Sequence, residues 1–129
     1  MERILTVGDC KIPLRSTAAS LFSYKANFQR DGMKDLIALA KTMPKDPQSI
    51  TAESLSDSDF DMDVFYRFLW TFAKSADKAI PPLIEWLDTI EVAPLNFVVE
   101  ALPQIMELLG DTSKPSIQAK NFKAAAIGK

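Results

Sequence analysis

The sequence predicts a mainly α fold of the α+β class, in which a small N-terminal β-hairpin precedes about five helices packed round a central aromatic helix. Two short apolar runs flank Gly8-Asp9 near the start, and residues 59–77 carry many large apolar side chains at helical spacing. At 129 residues the chain is long enough to bury its own core. We expect a single globular, mainly helical domain over residues 1–110 and a flexible basic tail over residues 111–129.

The hairpin is predicted from residues 3–7 and 11–15, which contain β-forming residues on either side of a Gly8-Asp9 turn. Pro13 has no N–H to donate to a neighbouring strand. The second strand must therefore lie at an edge of the sheet or end early, and we expect the hairpin to be small.

The first helix is predicted to begin at Ala18, because Ser16 or Thr17 can cap it, and to end near Gln29. Residues of its packing face recur every three or four positions. These residues are Leu21, Tyr24, Lys25 and Phe28.

A second helix is predicted to begin after a cap at Asp31 and to end at Met43, before Pro44. Gly32 would cost about 1 kcal/mol inside one continuous helix. We therefore expect a break near it, although one helix over residues 17–43 also fits the pattern. The apolar stripe expected to face the core consists of Met33, Leu36, Ile37 and Ala40.

Residues 44–58 are predicted to form a loop, since the composition changes there to Pro, Asp, Gln, Ser, Thr and Lys. One helical turn over residues 52–55 fits within it, and Ile50 and Leu55 are the residues expected to reach a core. The loop is longer than is usual in a compact domain, which suggests mobility or a binding role.

Acidic residues occupy every second position from 57 to 63, as in some calcium loops. With Asp57 as position one, the sixth residue is Met62 instead of glycine and the twelfth is Phe68 instead of glutamate. We therefore predict no metal site. The acids, which are Asp57, Asp59, Asp61 and Asp63, are expected to cap the central helix and to stabilise the positive end of its dipole.

The central helix is predicted to follow these acids and to end near Asp77. At 100° per residue its apolar side chains cover roughly 240° of the circumference, so other elements must surround it. The buried face is expected to contain Met62, Phe65, Tyr66, Leu69, Phe72, Ala73 and Ala76, widened by Val64, Phe68 and Trp70. The strip left for water consists of Asp63, Arg67, Thr71 and Lys74.

A short helix is predicted after the central one, because Pro81-Pro82 can occupy its first turn. Glu85 and Asp88 are expected to face outward. The apolar face consists of Leu83, Ile84, Trp86, Leu87 and Ile90.

The last helix is predicted to begin at about Pro94 and to be ended by Gly110. Pro103 lies inside it and cannot bond the Val99 carbonyl, so we expect a kink. The apolar stripe consists of Leu95, Val98, Val99, Leu102, Ile105, Met106 and Leu109.

Charge is distributed unevenly along the chain. Residues 1–45 hold eight basic and four acidic residues (+4), residues 46–111 hold three and thirteen (−10), and residues 112–129 hold four and none (+4). This pattern indicates either a solvated acidic face with a basic tail, or complementarity between copies in a homo-oligomer. Nucleic-acid binding is not expected, because the basic residues are not clustered on one element.

The residues needed for common catalytic chemistry are missing. The chain has no histidine, and its four glycines do not form a phosphate-binding pattern. Cys10 has no candidate base and is expected to be a buried small apolar residue. We therefore expect a protein that is not an enzyme, needs no cofactor and works by contact.

The sequence shows no pattern typical of a targeting signal. The first residues lack the basic and apolar stretches of a signal peptide, and one cysteine cannot form an internal disulfide. No run approaches the roughly 20 apolar residues of a membrane span. We expect a cytoplasmic protein that does not bind membranes.

Three segments carry a resemblance to a known family: residues 24–31 (Tyr-Lys-Ala-Asn-Phe-Gln-Arg-Asp), residues 66–77 (Tyr-Arg-Phe-Leu-Trp-Thr-Phe-Ala-Lys-Ser-Ala-Asp) and residues 84–88 (Ile-Glu-Trp-Leu-Asp). They resemble the tail assembly chaperones of long-tailed phages and prophages of Gram-positive bacteria. In that family an aromatic-basic segment ending in Phe-Gly-x-Asp precedes a helix, an aromatic helix ends in Ala-Lys-x-Ala-Asp, and a Glu-Trp-Leu-Asp helix follows. The likeness spans roughly residues 1–109. Gln29 departs from it, since the family usually has glycine there, a residue that tolerates positive φ.

The resemblance implies a non-catalytic protein in the cytoplasm of the bacterial host that binds the tape measure protein, keeps it soluble and helps recruit tail tube subunits. It also implies absence from the mature virion. Alternatives are a structural tail or neck component retained in the virion, or a protein-interaction adaptor unrelated to phage. The partner-binding candidates are Ile50, Leu55, Lys120, Phe122 and Lys123.

Overall fold

The computed structural model describes residues 1–42, 50–56 and 60–110 and has the predicted mainly α architecture of the α+β class. The described residues form a hairpin and six helices: β1 (Glu2–Val7), β2 (Cys10–Arg15), α1 (Ser20–Phe28), α2 (Gly32–Thr42), α3 (Ala52–Ser56), α4 (Met62–Ala76), α5 (Leu83–Leu87) and α6 (Pro94–Leu109). The turn expected over residues 52–55 accounts for the additional helix. None of these helices is long and apolar enough to cross a bilayer. Met43, the predicted end of α2, lies outside the described residues.

The predicted hairpin is confirmed. The two strands pair antiparallel, with Val7 opposite Cys10 next to the turn. Gly8 has a φ of +58°, whereas Asp9 does not have positive φ. Positive φ at the first turn residue alone is the pattern of a type II′ turn, which suits the twist of a two-residue hairpin.

Pro13 lies inside β2 without interrupting it. It pairs with Ile4, three positions from the pair that closes the turn. Hydrogen-bonded and non-hydrogen-bonded pairs alternate in an antiparallel ladder, and the closing pair of such a hairpin is hydrogen-bonded. The missing N–H of Pro13 therefore faces away from β1. Of the two predicted outcomes, the edge position is correct and early termination is wrong.

The hairpin packs on α4 and α6. Its buried face comprises Leu5, Val7, Ile12 and Leu14. The Gln104 side-chain amide donates to the Thr6 carbonyl at 2.9 Å and accepts from the Thr6 N–H at 3.1 Å, as a third strand would. Arg3 pairs with Glu107 one turn further along α6. These contacts place β1 against the C-terminal half of α6.

Residues 29–31 separate α1 from α2, so the preferred two-helix prediction is correct. Gln29 adopts the left-handed conformation (φ +55°, ψ +38°) and donates its N–H to the Lys25 carbonyl at 2.8 Å. Asp31 then accepts hydrogen bonds from the N–H groups of Met33 and Lys34 at 2.9 and 3.1 Å, which is the predicted cap.

The start of α1 differs from the prediction. The helix begins at Ser20 instead of Ala18, and no side chain caps its first N–H groups. The Thr17 N–H instead donates to the Ser20 hydroxyl at 2.9 Å, and the Thr17 hydroxyl accepts from Ala19. These local bonds compete with helix formation at the hydroxyl residues.

The central helix α4 is surrounded on most sides, as predicted. Its cap is Asp61, whose carboxylate accepts from the N–H groups of Asp63 and Val64 at 3.0 and 3.2 Å. Asp57 and Asp59 lie outside the described residues. The buried positions are Val64, Phe65, Phe68, Leu69, Trp70, Thr71, Phe72 and Ala73.

The edges of the predicted α4 face are wrong at three positions. Thr71 was expected to face water but is 2% exposed, and its hydroxyl donates to the Arg67 carbonyl at 2.8 Å. Because the hydroxyl forms this hydrogen bond within the helix, its burial costs little free energy. Met62 and Ala76, at the two ends of the helix, are exposed instead of buried.

The face of α2 was predicted correctly only in part, since Leu36 and Ala40 are half-buried. Met33 and Ile37 are exposed, whereas Gly32, Asp35 and Leu39 are buried. A Cβ at Gly32 would lie 3.0 Å from the Leu21 carbonyl oxygen, so the absence of a side chain lets α2 approach α1 closely.

The last two helices follow the prediction in position, and α6 continues through Pro103. Ile84 and Leu95 are exposed, although both were assigned to apolar faces. On α6, Phe97 and Leu108 are buried although they were not assigned to the apolar stripe. Cys10 is half-buried at the edge of the core.

Candidate partner-binding groove

An open groove of about 330 Å³ lies between α4, the connection from α5 to α6, and the first turn of α6. Two acidic side chains, Asp88 and Glu91, form its rim. The other lining residues are apolar or aromatic: Tyr66, Leu87, Ile90, Val92, Pro94 and Phe97. We call this feature the acidic groove.

The walls of the acidic groove are held in place by packing and backbone bonds. The rings of Tyr66 and Phe97 lie nearly parallel, with centroids 6.2 Å apart and planes at 10°. On the connection, the Ile90 N–H donates to the Leu87 carbonyl at 3.0 Å, and the Thr89 hydroxyl donates to the Trp86 carbonyl at 2.6 Å. A surface fixed in this way needs little ordering when it binds a partner.

The rim carries two negative charges that no ion pair within the described part of the chain neutralises. Among the described residues, no basic side chain lies within ion-pair distance of Asp88 or Glu91. The guanidinium of Arg67 lies 4.0 Å from Asp35, and the Lys74 ammonium donates to two backbone carbonyls at 2.7 Å. The two nearest cations along α4 are therefore already engaged elsewhere.

Two exposed apolar side chains neighbour lining residues of the groove along their helices. Met62 is 51% exposed and lies one turn before Tyr66 on α4, while Leu95 is 55% exposed in the first turn of α6. Burial raises the pKa of Tyr66, so its hydroxyl stays neutral. The groove therefore offers apolar contacts inside an acidic rim, which suits an apolar segment flanked by Lys or Arg.

A second hollow, of about 390 Å³, lies at the open end of the hairpin, next to the last residue of α4. Its lining contains both signs of charge, and Arg3 within it is already paired with Glu107. It has no aromatic side chain. Although it is slightly larger, its surface is less suited to an apolar partner than the acidic groove.

A buried polar cluster lies on the other side of α4. Asp35 is 7% exposed, and its carboxylate accepts from the Tyr24 hydroxyl at 2.6 Å. Arg30 donates to both carboxylate oxygens, at 2.7 and 3.1 Å, and Arg67 lies 4.0 Å away. The cluster ties α1, the turn that follows it, α2 and α4 together.

The pKa values of the cluster follow from these contacts. The hydrogen bonds from Arg30 lower the pKa of the Asp35 carboxyl against the opposing effect of burial. Burial, together with the hydrogen bond to Asp35, raises the pKa of Tyr24 to about 12. Asp35 is thus ionised and Tyr24 neutral at physiological pH. Neither group lines the acidic groove or the hollow beside the hairpin, and the hydrogen bonds of both groups stabilise the packing of α1 and α2.

Sequence reasoning missed the roles of Asp35 and the groove. Asp35 lies outside the apolar stripe predicted for α2. The signal that could have placed it inside is its spacing of four residues from Leu39, which puts the two side chains on the same face of α2. The groove has no local signal, because Tyr66 and Phe97 meet only through the packing of α4 on α6.

The predicted partner-binding residues lie elsewhere. Ile50 is 8% exposed and belongs to the core, and Leu55 is half-buried against it. The expectation that both residues reach a core is therefore confirmed, while partner binding by them stays an untested prediction. Lys120, Phe122 and Lys123 lie outside the described residues.

No protein-family model, curated protein or solved structure matches this chain. The described residues also contain no group of three acidic or cysteine side chains arranged to hold a metal ion. Function must therefore be argued from the groove and from the sequence segments described above.

Proposed function

We propose that the protein is a non-catalytic phage tail assembly chaperone that binds and solubilises the tape measure protein and helps recruit tail tube subunits. The acidic groove carries the proposal, because it combines preformed apolar walls with an acidic rim that forms no ion pair among the described residues. A tape measure protein is a long helical chain rich in apolar residues. Helices of this kind dock through apolar side chains spaced three and four residues apart, for which a groove between two helices is suited.

The acidic groove also specifies which part of a tape measure protein it should accept. Asp88 and Glu91 favour segments in which Lys or Arg flanks the apolar residues, because opposite charges at a rim increase the association rate and the selectivity. Met62 and Leu95 would be covered by the same segment. At about 330 Å³ the groove holds only a few side chains, so each copy would bind weakly. Many copies on one tape measure chain would mask it by avidity.

The conformation of Gln29 is consistent with the family resemblance. It has positive φ at the position where the family usually has glycine. The turn that glycine would favour is therefore present in this chain although the residue differs.

Co-expression tests the proposal. The chain is produced together with a tape measure protein, and the soluble fraction of the tape measure protein is measured. We expect the wild-type chain to increase it several-fold and Asp88→Lys with Glu91→Lys to remove most of the gain. The matched control, Glu2→Lys with Asp9→Lys, reverses the same number of charges on the hairpin and should behave as wild type. No increase with the wild-type chain would reject the proposal.

Mass spectrometry of purified virions separates this proposal from a structural tail or neck component. A chaperone is released before the particle is complete, so the chain should be absent or present only in traces. Detection in stoichiometric amounts would show that it is a component of the particle.

A further inference from the structure

We propose that residues 112–129 of the same chain occupy the acidic groove when no partner is bound. This inference shares its surface with the proposed function, but it concerns an interaction within the chain. It rests on three observations: the opposite charges of the acidic groove and of residues 112–129, the apolar residues of both, and the length of chain that follows α6.

The charges are complementary. Residues 112–129 contain four lysines and no acidic residue, while the acidic groove presents Asp88 and Glu91 without a basic partner among the described residues. Lysines at positions 120 and 123 lie on either side of Phe122. This is the arrangement that the groove favours, with an apolar side chain for its walls and cations for its rim.

The length of the segment is sufficient. The helix α6 has 16 residues, which corresponds to about 24 Å between its ends, and the acidic groove lies at its first turn. Phe122 follows Gly110 by 12 residues, which span up to about 40 Å when extended. The chain can therefore return along α6 and place Phe122 between Tyr66 and Ile90, with its lysines beside Asp88 and Glu91.

A tether makes such a contact effective even if it is weak. A segment joined to its own site by a short linker has an effective concentration in the millimolar range. It would cover the exposed apolar surface of a free copy and would give way to a tape measure segment that binds more tightly or in several places. We expect Lys120→Glu with Lys123→Glu, which releases the segment and leaves the groove unchanged, to bind the partner several-fold more tightly.

Cysteine cross-linking in the full chain tests the inference. In a Cys10→Ser background, Ala93→Cys marks the groove and Ala124→Cys marks the segment, so that the lysines and Phe122 are kept. We expect a short bismaleimide to give an intramolecular product at least five-fold faster than in the matched pair Ala26→Cys with Ala124→Cys. Ala26 is exposed on α1, which packs on α4 through Tyr24 and Phe68 and does not line the acidic groove.

Charge exchange provides the second test. Asp88→Lys with Glu91→Lys should slow this cross-link several-fold, and so should Lys120→Glu with Lys123→Glu. The chain carrying all four substitutions should regain the fast rate, because the attraction is restored with opposite signs. A structural effect of the substitutions would not be reversed in this way.

The outcomes decide between the possibilities. Equal rates for the two cysteine pairs, or rates insensitive to every charge change, would overturn the inference, and predominantly intermolecular products would replace it by an exchange between copies. Failure of the proposed function gives a different result, since a fast cross-link would then be seen without any binding of the tape measure protein.

Discussion

The hydrogen bond between Tyr24 and Asp35 provides a direct test of the core arrangement. The Tyr24 side chain is fully buried, and its hydroxyl lies 2.6 Å from the carboxylate. Tyr24→Phe removes this bond but keeps the ring, whose centroid lies 4.4 Å from that of Phe68. The substitution therefore isolates the polar contact from the packing.

The expected magnitude follows from the charge of the acceptor. Hydrogen bonds to ionised groups contribute about 1.5–3 kcal/mol. Arg30 remains bonded to the carboxylate after Tyr24→Phe, so we expect a loss of about 1.5 kcal/mol in the free energy of unfolding. Asp35→Asn weakens the contacts to Tyr24, Arg30 and Arg67 together and should cost about 3 kcal/mol.

Urea unfolding followed by far-ultraviolet circular dichroism measures these losses. The double-mutant cycle of Tyr24→Phe and Asp35→Asn should give a coupling of about 1–2 kcal/mol, because the two groups are in direct contact. Tyr66→Phe is the matched control. The Tyr66 hydroxyl has no hydrogen bond among the described residues, so its removal should cost less than about 0.5 kcal/mol. A coupling below about 0.5 kcal/mol, or an equal cost for both tyrosines, would refute the reasoning.

Three further predictions concern the same region. Arg30 lowers the pKa of Asp35 in the folded state, whereas the carboxyl has its ordinary pKa of about 4 in the unfolded chain. The free energy of unfolding should therefore keep this contribution above pH about 4 and lose it as the pH falls further. In acid titration, Asp35→Asn should lack the part of the decrease that is due to this carboxyl. The positive φ of Gln29 predicts that Gln29→Gly raises the free energy of unfolding by up to about 1 kcal/mol, whereas Gln29→Val lowers it; an unchanged urea midpoint in both would contradict this. Gly32→Ala should destabilise by about 1–3 kcal/mol despite its helix propensity, because its Cβ would press on the Leu21 backbone, and a thermal midpoint above that of wild type would disprove the close contact.

The elements themselves were predictable from the sequence because local chemistry marks their ends. Gly8 supplies the positive φ of the hairpin turn, Asp61 caps α4, and Pro94 and Gly110 enclose α6. Each signal acts within a few residues of the position it determines. Such signals can be recognised in the sequence without knowing which residues meet in the folded protein.

The orientation of α2 was not predictable in the same way. Periodicity treats Met33 and Ile37 as inward residues and Asp35 as outward. The observed orientation follows from contacts across the fold, since Asp35 receives hydrogen bonds from Tyr24 and Arg30 and Gly32 permits the approach of α1. A buried carboxylate with three donors is compatible with the core, but its partners are brought to it only by folding.

The acidic groove was likewise outside the reach of sequence patterns. Tyr66 was assigned to the core, and Leu95 to an apolar face that the structure leaves exposed. Asp88 was correctly expected to face outward, but its proximity to an apolar hollow depends on how α5 leads into α6. The site is therefore a property of the packing of two helices and the connection between them.

Binding of the tape measure protein by groove variants tests the central claim most directly. The affinity of purified wild-type chain for a basic amphipathic segment of that protein is compared with those of the Asp88→Lys, Glu91→Lys double variant and the Glu2→Lys, Asp9→Lys control at matched salt concentration. We expect the groove variant to bind at least about ten-fold more weakly, since reversing two rim charges replaces attraction by repulsion, and the control to bind as the wild type does. Equal affinities for all three chains would contradict the assignment of the acidic groove as the partner-binding site.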